Sequence, residues 1–375
     1  MKKVFVTLLS TALLSMGAYA QDAQTAASDA AKTISAAPEA APKVEKPKYW
    51  STSLKTQINV GQTSLTNWAA GGDNTVSLAA FIDGNANWKK NDMFWNNRLQ
   101  LDYGFLYASS KPLLQKSTDR IYLESKWGYK TESMKNFYFS ANYDCKSQFS
   151  SGYDYNTPTS LVDSEGKDLE GAALRKAWRD ARVLKSDFLA PAYTNLALGI
   201  DYTPTKWLSV NFAPLTGGFV IVNKAALRKS YSMKEKKTTT PEKLAEAEAE
   251  LGAAATPEEL EQAQVALGNL YRSAKFEFGA QVKADVKVNI NDNFSYSTQV
   301  VLFANYLDIK RCPRINWDNR IDWKLAKYFS LTLTTNLIYD DTIMIADKNG
   351  NNPKARVQFK ESLAFGFTYT IANKK

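Results

Sequence analysis

Hydrophobic and polar positions alternate along most of this chain, most plainly between Asn74 and Tyr107. Val76, Leu78, Ala80, Ile82, Ala86 and Trp88 share one phase, and Thr75, Ser77, Asp83, Asn85 and Asn87 share the other. After the polar turn at 89–92, Trp95, Leu99, Leu101, Tyr103, Phe105 and Tyr107 alternate with Asn96, Arg98, Gln100, Asp102 and Gly104. Successive side chains of a strand point to opposite faces, so each run has one apolar and one polar face. Such runs exceed the about 5–6 residues of an ordinary strand and suit the roughly 9–11 needed to cross a bilayer at a tilt. The pattern predicts an all-β fold, a transmembrane antiparallel up-and-down β-barrel whose apolar face meets outer-membrane lipid.

Further alternating segments lie near 53–65, 120–130, 137–149, 193–202, 207–213, 276–289, 294–306, 316–325, 329–339 and 357–371. With the hairpin they make about twelve strands, an even number as in bacterial single-chain barrels. The connections at 89–92, 131–136, 203–206, 290–293 and 326–328 are short. Those at 109–119, 150–192, 214–275, 307–315 and 340–356 are longer, and 66–73 is modestly so. Barrels have short periplasmic turns and long extracellular loops, so this parity supports the count and the orientation. A soluble β-sandwich also alternates, but would not sort its connections this way. Trp88, Trp95, Trp127, Trp207 and Trp323 flank the short turns, where an inner aromatic girdle is expected.

Residues 1–20 read as a secretory signal peptide: Lys2 and Lys3, a short apolar stretch, then Ala18-Tyr19-Ala20. Residues 21–49 are rich in Ala, Pro and Lys and read as a disordered periplasmic leader. The barrel occupies 50–375. Mean hydropathy is −0.37, which counts against a helical membrane protein but not against a barrel with a polar lumen. The formal charge of +9 includes Lys2 and Lys3, and no basic cluster in the strands points to nucleic acid.

The segment 228–273 departs from the pattern. Thr240-Pro241-Glu242 and Thr256-Pro257-Glu258-Glu259 each carry helix-start signals, the second a capping box. Leu244, Ala247 and Leu251 form one apolar stripe, and Leu260, Ala263 and Leu267 another. This predicts an extracellular helical hairpin insertion, preceded by a basic stretch that is solvated loop unless several of its charges converge.

The chain has no histidine. That removes Ser-His and Cys-His nucleophile pairs and imidazole metal ligands. The phospholipase and aspartyl-type protease families of barrel hydrolases rely on histidine, so no enzyme activity, cofactor or metal is expected. Cys145 and Cys312 are too few for a thiolate zinc site and are expected far apart around the barrel. Asp340, Asp341, Asp347 and Asn349 form an oxygen-rich loop that fits no calcium-hand spacing and is ordinary turn chemistry. The candidate functional residues are those of the inward phase: Arg98, Asp102, Arg120, Glu124, Lys126, Asp144, Lys146, Lys283, Asp285, Asp318, Arg320 and Asp322. Their charges nearly cancel, and Asp102 with Arg120, or Asp318 with Lys283 or Lys324, are expected pairs across neighbouring strands.

Asn67-Trp68-Ala69-Ala70-Gly71-Gly72, the 186–193 segment Ser-Asp-Phe-Leu-Ala-Pro-Ala-Tyr, Ala213-Pro214-Leu215-Thr216-Gly217, Tyr339-Asp340-Asp341 and Gln358-Phe359-Lys360-Glu361 occur in order. Through them the chain, from about Trp50 onward, resembles a family of Bacteroidota outer-membrane barrels catalogued as a domain of unknown function. The resemblance implies compartment and architecture, and carries no activity or site residues. The functional expectation is a non-enzymatic, porin-like barrel: a narrow, weakly selective channel for small polar solutes. The alternative is a structural or assembly barrel with a closed lumen whose long outer loops bind a protein partner.

Overall fold

The computed structural model describes residues 49–63, 74–345 and 354–373. The expected signal peptide, the leader up to 48 and the Asn67–Gly72 motif lie outside the described residues. Sixteen strands follow in chain order. They are β1 (Trp50–Thr63), β2 (Thr75–Lys90), β3 (Met93–Ala108), β4 (Lys111–Lys130), β5 (Phe137–Ser147), β6 (Gly152–Tyr155), β7 (Arg182–Ser186) and β8 (Ala192–Tyr202). Then come β9 (Leu208–Ile221), β10 (Ala274–Asn289), β11 (Phe294–Asn305), β12 (Arg314–Lys324), β13 (Phe329–Tyr339), β14 (Met344–Ile345), β15 (Lys354–Ala355) and β16 (Gln358–Asn373). Twelve of them close an antiparallel barrel in which each strand pairs with the next in sequence, and β1 pairs with β16. The pairs β6–β7 and β14–β15 are small separate ribbons.

Hairpin chemistry is visible at the β2–β3 turn. Asn91 takes a left-handed φ of 50°, a conformation Asn tolerates well, in a two-residue connection. Lys89 N–H donates to Tyr49 O at 2.9 Å, so pairing starts at the last residue of the expected leader, and β1 begins before Ser53. Outside, Leu54, Ile58, Val60, Val76, Leu78, Leu99, Phe212, Phe219, Phe365 and Phe367 are exposed, as an apolar exterior requires. Inside, Gln57, Asn142, Asp201, Asn211, Gln281 and Lys283 are buried. The polar phase, not the apolar one, faces the interior. No helix among the described residues is long and apolar enough to cross a membrane.

Two boundaries differ from the sequence reading. The expected loop 109–119 is mostly strand, because β4 starts at Lys111. Register shifts between Gly104 and Phe105, and between Tyr107 and Ala108, break the two-residue period there, so the alternation could not be followed through. The expected strand end at Ala213 is the middle of β9. Pro214 sits at a register shift, where Leu198 pairs with Leu215 but Ile200 pairs with Phe212. A bulge is one of the few places a sheet accepts proline, since the missing N–H need not join the ladder. The bulge also brings backbones together: a Cβ on Gly199 would lie 2.1 Å from Phe212 O.

The long connection after β5 also holds more structure than expected. It contains β6, β7 and helix α1 (Gly171–Asp180), which packs against β4 and buries Trp178. The insertion after β9 forms helices α2 (Pro241–Ala253) and α3 (Pro257–Asn269), capped by Thr240 and by the Thr256–Glu259 capping box. Leu227, Met233, Ala247, Leu267 and Tyr271 pack with Ala190, Val220 and Val222 into one hydrophobic cluster. The Tyr231 hydroxyl donates to Lys185 O at 2.8 Å and Ser232 Oγ to Thr342 O at 2.9 Å, tying the insertion to the connections beside it.

Two tests follow from this packing. Gly199→Ala places a methyl group against a backbone oxygen that cannot rotate away. It should cost about 1–3 kcal/mol or more, read as a lower denaturant midpoint and loss of the heat-modifiable folded band on gels. Glu259 accepts from Ala255 N–H at 2.9 Å and Thr256 N–H at 3.1 Å, and these donors hold its carboxyl below the usual carboxylate range. A lowered folded-state pKa means this capping contribution is present above the unfolded pKa and is lost as pH falls through the folded one. Protection of the amides at the start of α3, relative to the intrinsic exchange rate at each pH, should therefore fall on acidification in the wild type. In Glu259→Ala it should be low throughout, and equal pH responses would refute the cap.

Candidate functional site

The barrel lumen brings the inward-phase residues together. Its larger cavity, of 990 Å³, is lined by Lys55, Phe81, Asp83, Arg98, Asp102, Arg120, Tyr122, Lys146, Asp285, Asp318, Arg320, Asp322 and Lys360, among others. A smaller cavity of 250 Å³ is lined by Asn85, Asn87, Asn96, Asn97, Arg98, Glu124, Lys126, Ser209 and Asp285. Arg98 and Asp285 line both, so the cavities meet at these two side chains. Asp144 also belongs to the inward face, where Asn195 donates to it at 2.9 Å.

Three charge clusters fill the interior. On β2 and β3, Arg98 grips Asp83 with both arms, Nε to Oδ1 at 3.1 Å and a terminal nitrogen to Oδ2 at 2.8 Å. Asn85 and Gln100 also donate to Asp83. Around Asp322 on β12, Arg320 forms a similar fork at 2.9 Å, Lys55 of β1 approaches to 3.0 Å and Thr332 donates at 2.8 Å. Arg320 also donates to Gln57 at 2.8 Å, and its guanidinium stands 4.5 Å from the Phe81 ring centre on β2. In the third cluster Lys283 of β10 pairs with Glu124 of β4, and Tyr122 donates to Glu124 at 3.0 Å. Lys126 lies 2.7 Å from Asp201, an ion pair rather than a directed hydrogen bond.

Two of these links cross the lumen rather than following its wall. Strands β9, β8 and β5 lie between β10 and β4, so Lys283–Glu124 is a strut spanning part of the interior. Strands β13 and β16 lie between β12 and β1, bridged by Lys55–Asp322. The expected pairs are not the ones formed. Asp102 and Arg120 are register partners but make no ion pair, and Asp318 takes amide donors from Asn336 and Asn316 instead of Lys283 or Lys324. Sequence reasoning also omitted Lys55, Gln57 and Phe81 from the lumen. Lys55 and Gln57 stand among threonines and serines in β1, where the alternation is weak. Phe81 is an apolar side chain in the polar phase of β2, where its ring face meets the Arg320 guanidinium, and alternation alone does not place it inside.

At the end with long connections, Arg314 donates to Glu277 at 2.8 Å, and Lys275 lies 3.1 Å from the same carboxylate. At the opposite end Trp50, Trp88, Trp95 and Trp127 fall in register across β1 to β4. Trp95 Nε1 donates to Ser125 Oγ at 2.9 Å. Trp207 and Trp323 are exposed near the turns at that same end. Trp50 was absent from the expected set because β1 was taken to begin after it. Asp340 accepts from Thr342 within its own loop, and Asp341 accepts from Cys312 N–H of the β11–β12 connection beside it. Asp347 and Asn349 lie outside the described residues. Cys145, within β5, and Cys312, in the connection between β11 and β12, are free thiols.

Comparison with known proteins adds little chemistry. A family described as "Protein of unknown function (DUF3078)" matches residues 60–153, a span that runs from the end of β1 through β5 and contains Arg98, Asp102, Arg120, Glu124 and Lys146. No curated protein matches. Among solved structures, the chain is similar to an outer-membrane channel from Pseudomonas putida F1, at 10% identity, TM-score 0.32, and 89% of this chain and 100% of that one covered. It is also similar to the translocator domain of the autotransporter NalP from Neisseria meningitidis, at 10% identity, TM-score 0.32, with 93% and 97% covered. The NanC porin follows at 6% identity, TM-score 0.30, with 85% and 98% covered.

The Lys283–Glu124 strut makes a sharp prediction. Lys283 is 4% exposed, and removing one member of a buried pair leaves the other charge unpartnered. Glu124→Gln or Lys283→Met alone should cost about 3–5 kcal/mol, and the double variant much less. Denaturant unfolding in detergent, arranged as a double-mutant cycle, measures the difference. Additive losses would show that the two residues do not act as a pair.

Proposed function

We infer that the chain is a non-enzymatic outer-membrane barrel and a narrow, weakly selective channel for small polar solutes. The observation that carries this reading is the charged, cavity-bearing lumen whose cations and anions are mostly paired. A strongly selective pore needs a ring of one sign, whereas paired charges leave a weak net field. The struts also narrow the path, so conductance should be small or intermittent.

Residues 1–20 are assigned as the export signal and 21–49 as a periplasmic leader. The short turns are assigned to the periplasmic side and the insertion at 228–273 to the outer side, so the tryptophan row beside the short turns is assigned as the inner interfacial girdle. A second reading is favoured by the insertion's built core: a barrel with a closed lumen whose outer connections hold an extracellular protein partner. Lys236 N–H donates to Leu270 O at 2.8 Å, closing the neck of the hairpin, so 237–269 can be excised there. If every co-purifying protein survives that excision, docking through the hairpin is excluded.

Single-channel recording of purified protein in a planar bilayer tests the primary reading. Small steps with weak ion preference are expected. Large steady conductance with strong anion preference would overturn the paired-lumen argument, and silence from folded protein would favour the closed barrel. Orientation is checked by labelling single cysteines in a Cys145→Ser, Cys312→Ser background. Asn91→Cys and Lys206→Cys should be shielded in intact cells, and Lys236→Cys reachable.

A further inference from the structure

We propose that the larger lumen cavity holds a binding site for a small oxyanion, formed by Arg120, Lys146 and Lys360. The inference rests on the channel reading for access, and names the solute class that the site would take. Eight cationic and six anionic side chains line this cavity, a net excess of two positive charges. Four of the eight cations are committed. Lys55 and Arg320 serve Asp322, Arg98 serves Asp83 and Lys116 serves Asp119. Lys287 has no ion pair but lies within the field of Asp83.

Arg120, Lys146 and Lys360 are different. Among the described residues none of the three makes a hydrogen bond or an ion pair through its side chain, although all line the cavity. Arg120 Nε is buried without a partner. Its guanidinium stands 5.0 Å from the Tyr122 ring centre, a contact that fixes its position. β4, β5 and β16 bring Arg120, Lys146 and Lys360 to the lining of one cavity, where Lys146 stands in the fields of Asp318 and Asp144 as well as of the other two cations. The carboxylates nearby do not cancel them by contact. Asp318 is held by Asn336 and Asn316, Asp144 by Asn195, and Asp102 makes no ion pair.

A buried guanidinium nitrogen without an acceptor is costly, and so is the mutual repulsion of three cations. A phosphate, sulfate or carboxylate would relieve both at once. It offers several acceptor oxygens to an Arg fork and two ammonium groups, a geometry chloride cannot match. The cavity is large enough for such a group to carry a small organic remainder.

Isothermal titration of the full-length barrel in detergent with inorganic phosphate, at constant ionic strength set by chloride, is the test. Saturable binding of a single phosphate per chain is expected. Lys146→Gln and Lys360→Gln should each weaken it roughly tenfold, and Arg120→Gln at least as much. Lys89→Gln, at the β2–β3 turn, should not change it. Should Arg120→Gln fail to give the folded gel band, the two lysine variants decide. Absent binding by folded wild type, or binding unchanged in the lysine variants, overturns the site. The bilayer recording separates this from the channel reading. A barrel that conducts without binding phosphate loses the site and keeps the channel, whereas one that binds without conducting keeps the site and loses the channel.

Discussion

Closure of the sheet is the constraint on which the rest depends. A strand in hydrocarbon cannot leave backbone N–H and C=O groups unpaired, because no water is present to satisfy them. Pairing of β1 with β16 removes both edges, from Thr52 with Asn373 to Asn59 with Gly366. Once the sheet is closed, the two faces acquire fixed environments. Every outward position of the belt must be apolar, and every polar position is driven inward. The lumen therefore receives the charges of twelve strands whether or not a function needs them.

That accumulation has to be stabilised locally. A carboxylate or ammonium enclosed by the wall loses hydration, and an opposite charge with good hydrogen bonds offsets the loss. The forks of Arg98 on Asp83 and Arg320 on Asp322 do this within or between neighbouring strands. Lys283–Glu124 and Lys55–Asp322 do it across several strands, and so brace the wall against itself. The same side chains that brace the wall also fill the lumen. The residues that stabilise the barrel thus set how much space is left inside it.

The strand count and the in-or-out phase of most residues were legible in the sequence, because both follow from a period of two. The boundaries that failed are those where the period slips. The register shifts at Gly104–Phe105 and around Pro214 each insert a residue and invert the alternation beyond it. Helix α1 was missed since the segment before it lacks a strong capping residue; Glu170 makes no side-chain cap. The hairpin α2–α3 was read correctly because Thr240 and Thr256 both start their helices by strong local chemistry.

The site divides along the same line. Which residues face the lumen depends on phase, and Arg98, Glu124, Lys283 and Asp322 could be named from it. Which residue partners which depends on strand stagger and on reach across the barrel, neither of which is written in periodicity. Nearest-register reasoning chose Asp102 for Arg120, yet ion pairs also run across several strands, from β10 to β4 and from β12 to β1. A consequence is that Arg120 keeps its positive charge while its register neighbour keeps a negative one, close but not joined. Two opposite charges left apart at the lining of one cavity are each available to a third group. The wall is therefore braced by the residues whose partners sequence could not foresee, while Arg120 stands unjoined to the partner its register offered.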